Sequence, residues 1–246
     1  MRARGSFELL GSEVHIWTLP TRALLAVAEM FELVLARDEL DRAGQYRFSH
    51  LRESFVIARG ALRCLLGRYL DIHPTSIRFI YGSNGKPALE AGAHLQFNMT
   101  HSGGLAAVAI TEDCPIGLDL EKIRPLSDMQ QIADRFFCSE EAAEIMSLPP
   151  GDREHAFFRC WTRKEAYIKA IGDGLSAPLD GFRVTVLPNV RAHFVHLGHG
   201  TTDADAWTLH DLCMAPDYAA ALAYRDRQRS LSIFPIVDLA EFLSAP

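Results

Sequence analysis

The sequence lacks the features that mark membrane and secreted proteins. Its longest strictly apolar run covers only residues 105–110, whereas a membrane-spanning helix needs roughly 20 apolar residues. No apolar signal core follows the basic N-terminus, so we expect no secretory signal. The five cysteines are odd in number and never spaced as C-x-x-C, which is typical of reduced thiols. We therefore expect a cytoplasmic protein with no membrane partner.

Common nucleotide-binding and hydrolase motifs are absent as well. The sequence contains no P-loop, no clear dinucleotide fingerprint and no G-x-S-x-G elbow. The formal net charge of −6 disfavours binding to nucleic acid, because that binding gains affinity from basic residues that neutralise phosphates. We expect no nucleic-acid partner, and a phosphate-bearing substrate would have to be held in another way.

Lysine is scarce compared with arginine. The 25 basic residues include only four lysines: Lys86, Lys122, Lys164 and Lys169. Arginine presents a planar fork of donors and lysine a compact ammonium. One interpretation is that each remaining lysine marks a position that needs an ammonium, and the alternative is chance.

The composition is that of a globular protein, with 246 residues, 48% hydrophobic and 23% charged. Apolar periodicity predicts helices over the ranges 22–36, 50–70, 127–137, 139–148 and 152–171. Short extended runs predict strands over the ranges 14–19, 77–81, 94–100, 105–111, 116–121, 182–187, 193–197, 207–214 and 218–224. Helices followed by strands occur twice, so we predict an α+β fold with two similar α/β lobes, 1–114 and 115–246, across a shared cleft.

The predicted helix 50–70 carries a basic stripe beside its apolar face. Arg52, Arg59 and Arg63 are seven and four residues apart, which places them on neighbouring positions of one side. The stripe is either a solvated helix edge or a ridge that receives an anionic ligand.

Two carboxylates lie close together on the predicted strand 116–121. Asp119 and Glu121 alternate with Leu118 and Leu120, so both acidic side chains point to the same face. Adjacent like charges repel unless a cation lies between them, and a hard divalent ion meets that need. The alternative is an exposed strand face with unrelated acids.

The predicted helix 152–171 carries a third carboxylate. Trp161, Glu165 and Lys169 are spaced four residues apart and therefore share one ridge. A Glu-to-Lys pair at this spacing often only stabilises an exposed helix. Together with Asp119 and Glu121, however, Glu165 would complete a magnesium site, since Mg²⁺ prefers a few carboxylates, waters and a substrate phosphate. His101, which precedes a glycine turn, is either structural or a phosphate contact.

Several segments in order resemble those of a known family, the two-lobed Sfp type of 4′-phosphopantetheinyl transferases. The matching segments, within about residues 42–186, are 85–87, 97–102, 116–123, 135–137, 161–169 and 172–179. Such enzymes transfer the phosphopantetheine arm of coenzyme A to a serine of an apo acyl or peptidyl carrier protein, with release of 3′,5′-ADP.

The resemblance implies a pseudo-twofold arrangement with coenzyme A and Mg²⁺ in the cleft between the lobes. It implies three metal ligands, Asp119, Glu121 and Glu165. Contacts to coenzyme A are implied at Lys86, Thr100, His101 and Lys169, with Arg42, Arg52 or Arg59 in place of the basic residues that hold the 3′-phosphate in relatives. The implied catalytic residues are Glu165, Lys169 and His101, in a protein that works as a monomer.

Two other functions remain open from the sequence. The three carboxylates also suit a magnesium-dependent phosphoesterase that acts on a nucleotide with water as the nucleophile. The other possibility is a non-catalytic module that binds the carrier protein without turnover. For docking of an acidic carrier protein we predict the tract 173–178 and a basic patch of Arg153, Arg159 and Arg163.

Overall fold

The computed structural model describes residues 8–90, 94–172, 178–198 and 204–236, which form a mixed fold of helices and strands. The helices are α1 (Ala28–Glu32), α2 (Arg37–Gly44), α3 (Ser49–Leu70), α4 (Met129–Phe136), α5 (Ser139–Ser147) and α6 (Pro150–Ile171). The strands are β1 (Glu13–Leu19), β2 (Phe79–Tyr81), β3 (Pro87–Leu89), β4 (Leu95–Ser102), β5 (Leu105–Glu112), β6 (Ile116–Lys122), β7 (Arg183–Val184), β8 (Phe194–His196), β9 (Thr208–Asp211), β10 (Tyr218–Tyr224) and β11 (Ser230–Pro235). Within these ranges no helix is both long and apolar enough to span a membrane.

The first sheet has the strand order β11-β1-β5-β4 and is covered on one face by α3. Strands β1, β5 and β4 are antiparallel, while β11 is parallel to β1. Residues 55–67 of α3 are buried all round, between this sheet on one side and α1 and α2 on the other. The alternation of side chains along β1 and β5 places half of them against α3 and the other half against the second sheet.

The second sheet has the order β6-β10-β9, with α6 on the face that is turned away from the first sheet. The inner faces of the two sheets meet in an apolar layer that includes Ile16, Leu118, Leu120 and Leu222. The layers therefore run α3, first sheet, second sheet, α6. This arrangement leaves Asp119 and Glu121 on the α6 face of β6, because they alternate with Leu118 and Leu120.

Helix α6 ends where its sequence predicts but begins two residues earlier, at Pro150. Pro150 occupies the first turn, where the missing N–H costs nothing, and Gly172 ends the helix with a left-handed φ of 84°. The predicted helices 50–70 and 139–148 are also found, as α3 and α5.

Several predicted elements differ from the structure. The predicted helix 22–36 is a 3₁₀ segment (Thr21–Val27) followed by the five-residue α1, and α2, β3 and β11 were not predicted. The boundary predicted after residue 114 falls between β5 and β6 and stays a prediction. Strand β11, from the second predicted lobe, completes the first sheet, a long-range pairing that local periodicity cannot indicate.

Candidate active site

Strands β4 and β6 form the seam at which the two sheets meet, although they share no ladder of backbone hydrogen bonds. Side chains of β4 accept the N–H groups of β6 instead. The Leu118 N–H donates to Asn98 Oδ1 at 2.9 Å, and the Lys122 N–H donates to Ser102 Oγ at 3.1 Å. The seam therefore sets the polar residues of β4 directly opposite the acidic residues of β6.

Asp119 is the most buried of the three predicted carboxylates, with only 4% of its surface exposed. The Lys169 ammonium lies 2.5 Å from Asp119 Oδ1, and the Thr100 hydroxyl donates to the same oxygen at 3.3 Å. The other oxygen, Oδ2, is buried and has no hydrogen-bond partner. A buried carboxylate oxygen without a partner is costly, which indicates that this oxygen awaits a ligand.

Glu165, which projects from α6, also has a buried carboxylate oxygen without a hydrogen-bond partner, Oε1. Burial raises the pKa of the Glu165 carboxyl, and the negative charges of Asp119 and Glu121 raise it further against the opposing charge of Lys169. Burial also raises the pKa of Glu121, whose Oε2 accepts a 2.7 Å hydrogen bond from Ser102. The three carboxylates are thus close enough to perturb one another.

The three carboxylates suit Mg²⁺ as partial ligands. Among the described residues, no three His, Cys, Asp or Glu side chains already surround one point in ligating positions. Mg²⁺ in proteins commonly takes one or two carboxylates and completes its shell with waters and substrate phosphates. Two unsatisfied buried carboxylate oxygens in a site with excess negative charge therefore fit such a cation.

A cleft of about 460 Å³ opens beside this cluster, between α2, α3, the β2–β3 hairpin and β4. His101 lies in its wall. The surrounding protein atoms lower the pKa of His101, and the Lys169 charge lowers it further. Arg42 and Arg59 also line the cleft, together with the carboxylates of Asp38 and Glu39, so its charge is mixed.

Arg59 is held rigidly in the cleft wall. Its guanidinium is bound to Glu39, donates to the Tyr81 hydroxyl at 2.7 Å and lies 4.1 Å from the centre of the Phe79 ring. Arg63 is 2% exposed and donates to the same Glu39 at 2.6 Å. The interpretation of the stripe as a solvated edge is therefore wrong for Arg59 and Arg63, because both are buried.

Arg52 and Lys86 lie apart from the other predicted contacts. Arg52 is paired with Glu32 and lines a separate cavity of about 180 Å³. The Lys86 ammonium donates to the carbonyl oxygens of Ile116 at 3.1 Å and Ala170 at 3.0 Å, and burial lowers its pKa to about 8. Its neighbours in the chain, Gly85 and Pro87, line the large cleft. The hairpin thus faces the cleft while the Lys86 ammonium binds the second sheet and the end of α6.

Lys164 supports the site from within the core. Its ammonium is fully buried, pairs with Glu141 at 2.8 Å and donates to the carbonyl oxygens of Leu179 and Phe182. Three of the four lysines, Lys86, Lys164 and Lys169, therefore bind buried acceptors, as expected if these positions need an ammonium. The sequence marked Glu141 as part of the cap of α5, where it accepts the Cys138 N–H at 2.9 Å, but it gave no signal for the pairing with Lys164 on another helix.

The predicted docking elements are only partly described. Residues 173–177 of the predicted tract lie outside the described residues. Arg163 is fully buried and bound to Asp211 at 2.5 Å, so the predicted three-arginine patch is wrong at this residue. Arg153 and Arg159 donate to the carbonyl oxygens of Leu148 and Val186, at 2.8 Å and 3.0 Å.

Comparison with known proteins adds the following similarities. A family model described as the 4′-phosphopantetheinyl transferase superfamily matches residues 115–223. The chain is 38% identical over 218 residues to the 4′-phosphopantetheinyl transferase HetI of Nostoc sp., which covers 87% of this chain and 89% of HetI. It is 34% identical over 140 residues to the 4′-phosphopantetheinyl transferase Sfp of Bacillus subtilis, over 56% of this chain and 61% of Sfp. The holo-[acyl-carrier-protein] synthase of Thermotoga maritima matches 46% of this chain and 62% of its own at 18% identity, with a TM-score of 0.36, too low to support an argument.

Proposed function

The chain belongs to the 4′-phosphopantetheinyl transferase superfamily and is an enzyme of that kind, and from this premise we propose how its residues carry out the transfer. A serine hydroxyl of an apo acyl or peptidyl carrier protein attacks the β-phosphorus of coenzyme A. The bond from the serine oxygen to phosphorus forms, the bond to the bridging pyrophosphate oxygen breaks, and 3′,5′-ADP leaves.

The unsatisfied carboxylate oxygens carry this proposal. Asp119 Oδ2 and Glu165 Oε1 are buried without hydrogen-bond partners beside a cleft that contains two arginines. We propose that Asp119, Glu121 and Glu165 hold Mg²⁺. When bound there, the cation would neutralise part of the pyrophosphate charge.

Three side chains would act on the reacting groups, two on the phosphates and one on the serine. Lys169 reaches Asp119 and Thr100, so its ammonium is placed to donate to phosphate oxygens that bind there. His101 would donate to a phosphate from the cleft wall. Glu165 would accept the serine proton, directly or through water, a contribution that is typically about 10² to 10⁴ in rate.

The large cleft is proposed to hold the nucleotide part of coenzyme A. Thr100 and His101 would contact phosphates, and Arg59 and Arg42 would provide charge for the 3′-phosphate. Lys86 would contribute to binding through its hairpin, because its neighbours Gly85 and Pro87 line the cleft. Arg52 is not proposed as a contact to coenzyme A, because it pairs with Glu32 in a different cavity.

The larger architecture is also a proposal. The order helix, sheet, sheet, helix supports two lobes, 1–114 and 115–246, related by a pseudo-twofold axis, with the second lobe contributing β11 to the first sheet. One chain provides all the proposed site residues, which supports a monomer. The five cysteines are all free thiols, which supports a reducing compartment such as the cytoplasm.

Mass spectrometry of an apo carrier protein incubated with the enzyme, coenzyme A and Mg²⁺ tests the proposed mechanism. The wild type should add the phosphopantetheine mass, while Glu165→Gln should transfer about 10²- to 10⁴-fold more slowly and still bind coenzyme A. Glu140→Gln, at an exposed position, is the matched control. Normal turnover by Glu165→Gln would remove that residue from the mechanism.

Two outcomes would favour the other functions. Release of 3′,5′-ADP from coenzyme A without any carrier would favour a phosphoesterase. Binding of the carrier without turnover in Mg²⁺ would favour a binding module.

A further inference from the structure

Ser102, the last residue of β4, contacts Glu121, one of the three proposed metal ligands. Its hydroxyl donates to Glu121 Oε2 at 2.7 Å and accepts the Lys122 N–H at 3.1 Å. A single side chain therefore holds both the Glu121 carboxylate and the backbone directly after it.

We propose that Ser102 is a positioning residue that orients the Glu121 carboxylate for the divalent cation, an inference that rests on the proposed function. The hydrogen bond from Ser102 holds Oε2 and so restricts the orientations in which the Glu121 carboxylate would be presented to a cation. Hydrogen bonds of this kind fix the orientation of ligating carboxylates and tune their affinity.

Glu121 needs such a partner more than Asp119 does. A glutamate carboxylate has one more rotatable bond than that of aspartate, so more conformations must be restricted to present one oxygen. Asp119 is 4% exposed and is fixed by Lys169 and Thr100, whereas Glu121 is only partly buried. The Ser102 hydroxyl is the hydrogen-bond donor recorded for the Glu121 side chain among the described residues.

The position of Ser102 follows from the seam between the sheets. Asn98 accepts the N–H of Leu118, and four residues later Ser102 accepts the N–H of Lys122. These two bonds fix β4 beside β6 with an equal step along both strands. Among the described strands β6 has its ladder with β10, and side chains of β4 satisfy N–H groups on its other edge.

The turn after Ser102 fixes the position of this residue beside β6. Gly103 has a left-handed φ of 58°, and a β-carbon there would lie 2.6 Å from Lys122 Cδ. The Tyr218 hydroxyl of β10 donates to the Gly103 carbonyl oxygen at 3.0 Å. The glycine therefore lets the turn pack onto the end of β6, and Tyr218 holds it there.

Binding of Mn²⁺ alone, measured by electron paramagnetic resonance without coenzyme A or carrier, tests the proposal. Ser102→Ala should weaken Mn²⁺ binding by about 10- to 100-fold, while Ser102→Thr keeps the hydroxyl and should retain most of the affinity. Ser147→Ala, at an exposed serine that donates to the Glu144 carbonyl oxygen, is the control. Ser102→Cys, a weaker donor of similar shape, gives the comparison if Ser102→Ala does not fold.

A double-mutant cycle with Glu121→Gln separates positioning from general support of the seam. If Ser102 acts through Glu121, Ser102→Ala should cause little further loss of Mn²⁺ affinity in the Glu121→Gln background. An equal loss in both backgrounds, or unchanged affinity in Ser102→Ala, would overturn the proposal. Wild-type protein that neither binds Mn²⁺ nor transfers would overturn the proposed function as well, whereas an active wild type with an unaffected Ser102→Ala variant would overturn only the role of Ser102.

Discussion

Gly117 lies on β6 directly under α6, and replacing it by alanine tests how closely these two elements must approach. A β-carbon at this position would lie 2.0 Å from the Ala166 carbonyl oxygen and 2.3 Å from the Ala170 nitrogen, both in the backbone of α6. Because ordinary van der Waals contact begins at about 3.5 Å, α6 would have to move roughly 1.5 Å away from β6.

That movement would separate the two halves of the proposed site. Helix α6 carries Glu165 and Lys169, while β6 carries Asp119, and the Lys169–Asp119 contact of 2.5 Å would lengthen beyond hydrogen-bond distance. A misplacement of about 1 Å can cost about 100-fold in rate, and overpacking of this kind costs about 1–3 kcal/mol in stability. We expect Gly117→Ala to lose both transfer activity and thermal stability.

Transfer to an apo carrier and thermal unfolding, measured on the same preparations, check this expectation. Gly151→Ala is the matched control, because Gly151 lies in the first turn of the same helix and no atom lies within 4 Å of an added β-carbon. A Gly117→Ala protein that unfolds at a lower temperature but transfers at the wild-type rate would refute the link between helix-strand distance and chemistry.

Two further predictions concern the charge on His101 and the support of α6. Because protein atoms and Lys169 lower the pKa of His101 in the free enzyme and coenzyme A phosphates should raise it, binding should take up a proton and weaken as the pH rises above the free-enzyme pKa. Calorimetry in two buffers of different ionisation enthalpy should detect this proton in the wild type and not in His101→Asn; equal uptake by both would assign it to another group. Lys164→Met leaves the buried Glu141 carboxylate without its cation, although the N–H groups of Cys138 and Val184 still donate to it, and should cost about 3–5 kcal/mol in urea unfolding, with partial recovery in a Lys164→Met/Glu141→Gln double variant that removes the charge but keeps an acceptor oxygen. A loss below about 1 kcal/mol would contradict the importance of this ion pair.

Local patterns predicted the elements that carry the candidate site. The four-residue spacing in α6 and the alternation in β6 depend only on backbone geometry, so they could be read from the sequence. They predicted that Glu165 and Lys169 share a helix ridge and that Asp119 and Glu121 share a strand face. The structure brings these two sets together because α6 packs on that face of β6.

Features that depend on a distant partner could not be predicted in this way. Arg52 and Arg59 are seven residues apart on one side of α3, yet Arg52 pairs with Glu32 of α1 and Arg59 with Glu39 of α2. Periodicity therefore predicted the stripe correctly but could not predict which arginine faces the large cleft. Strand β11 is a similar case, since its six residues become a strand by pairing with β1, more than 200 positions earlier in the chain.

The charges of the carboxylate cluster and of the cleft support different roles for these two groups of residues. Burial raises the pKa values of both Glu121 and Glu165, and neighbouring carboxylates raise them further, against the opposing charge of Lys169 and, at Glu121, of Arg124. A pyrophosphate would add further negative charge and be repelled if these side chains acted alone. On the proposed function, coenzyme A would therefore enter this site together with added positive charge, whereas its nucleotide end would lie in the cleft lined by Arg59 and Arg42. The proposal thus assigns nucleotide binding and phosphate activation to separate sets of residues, joined by the seam between β4 and β6.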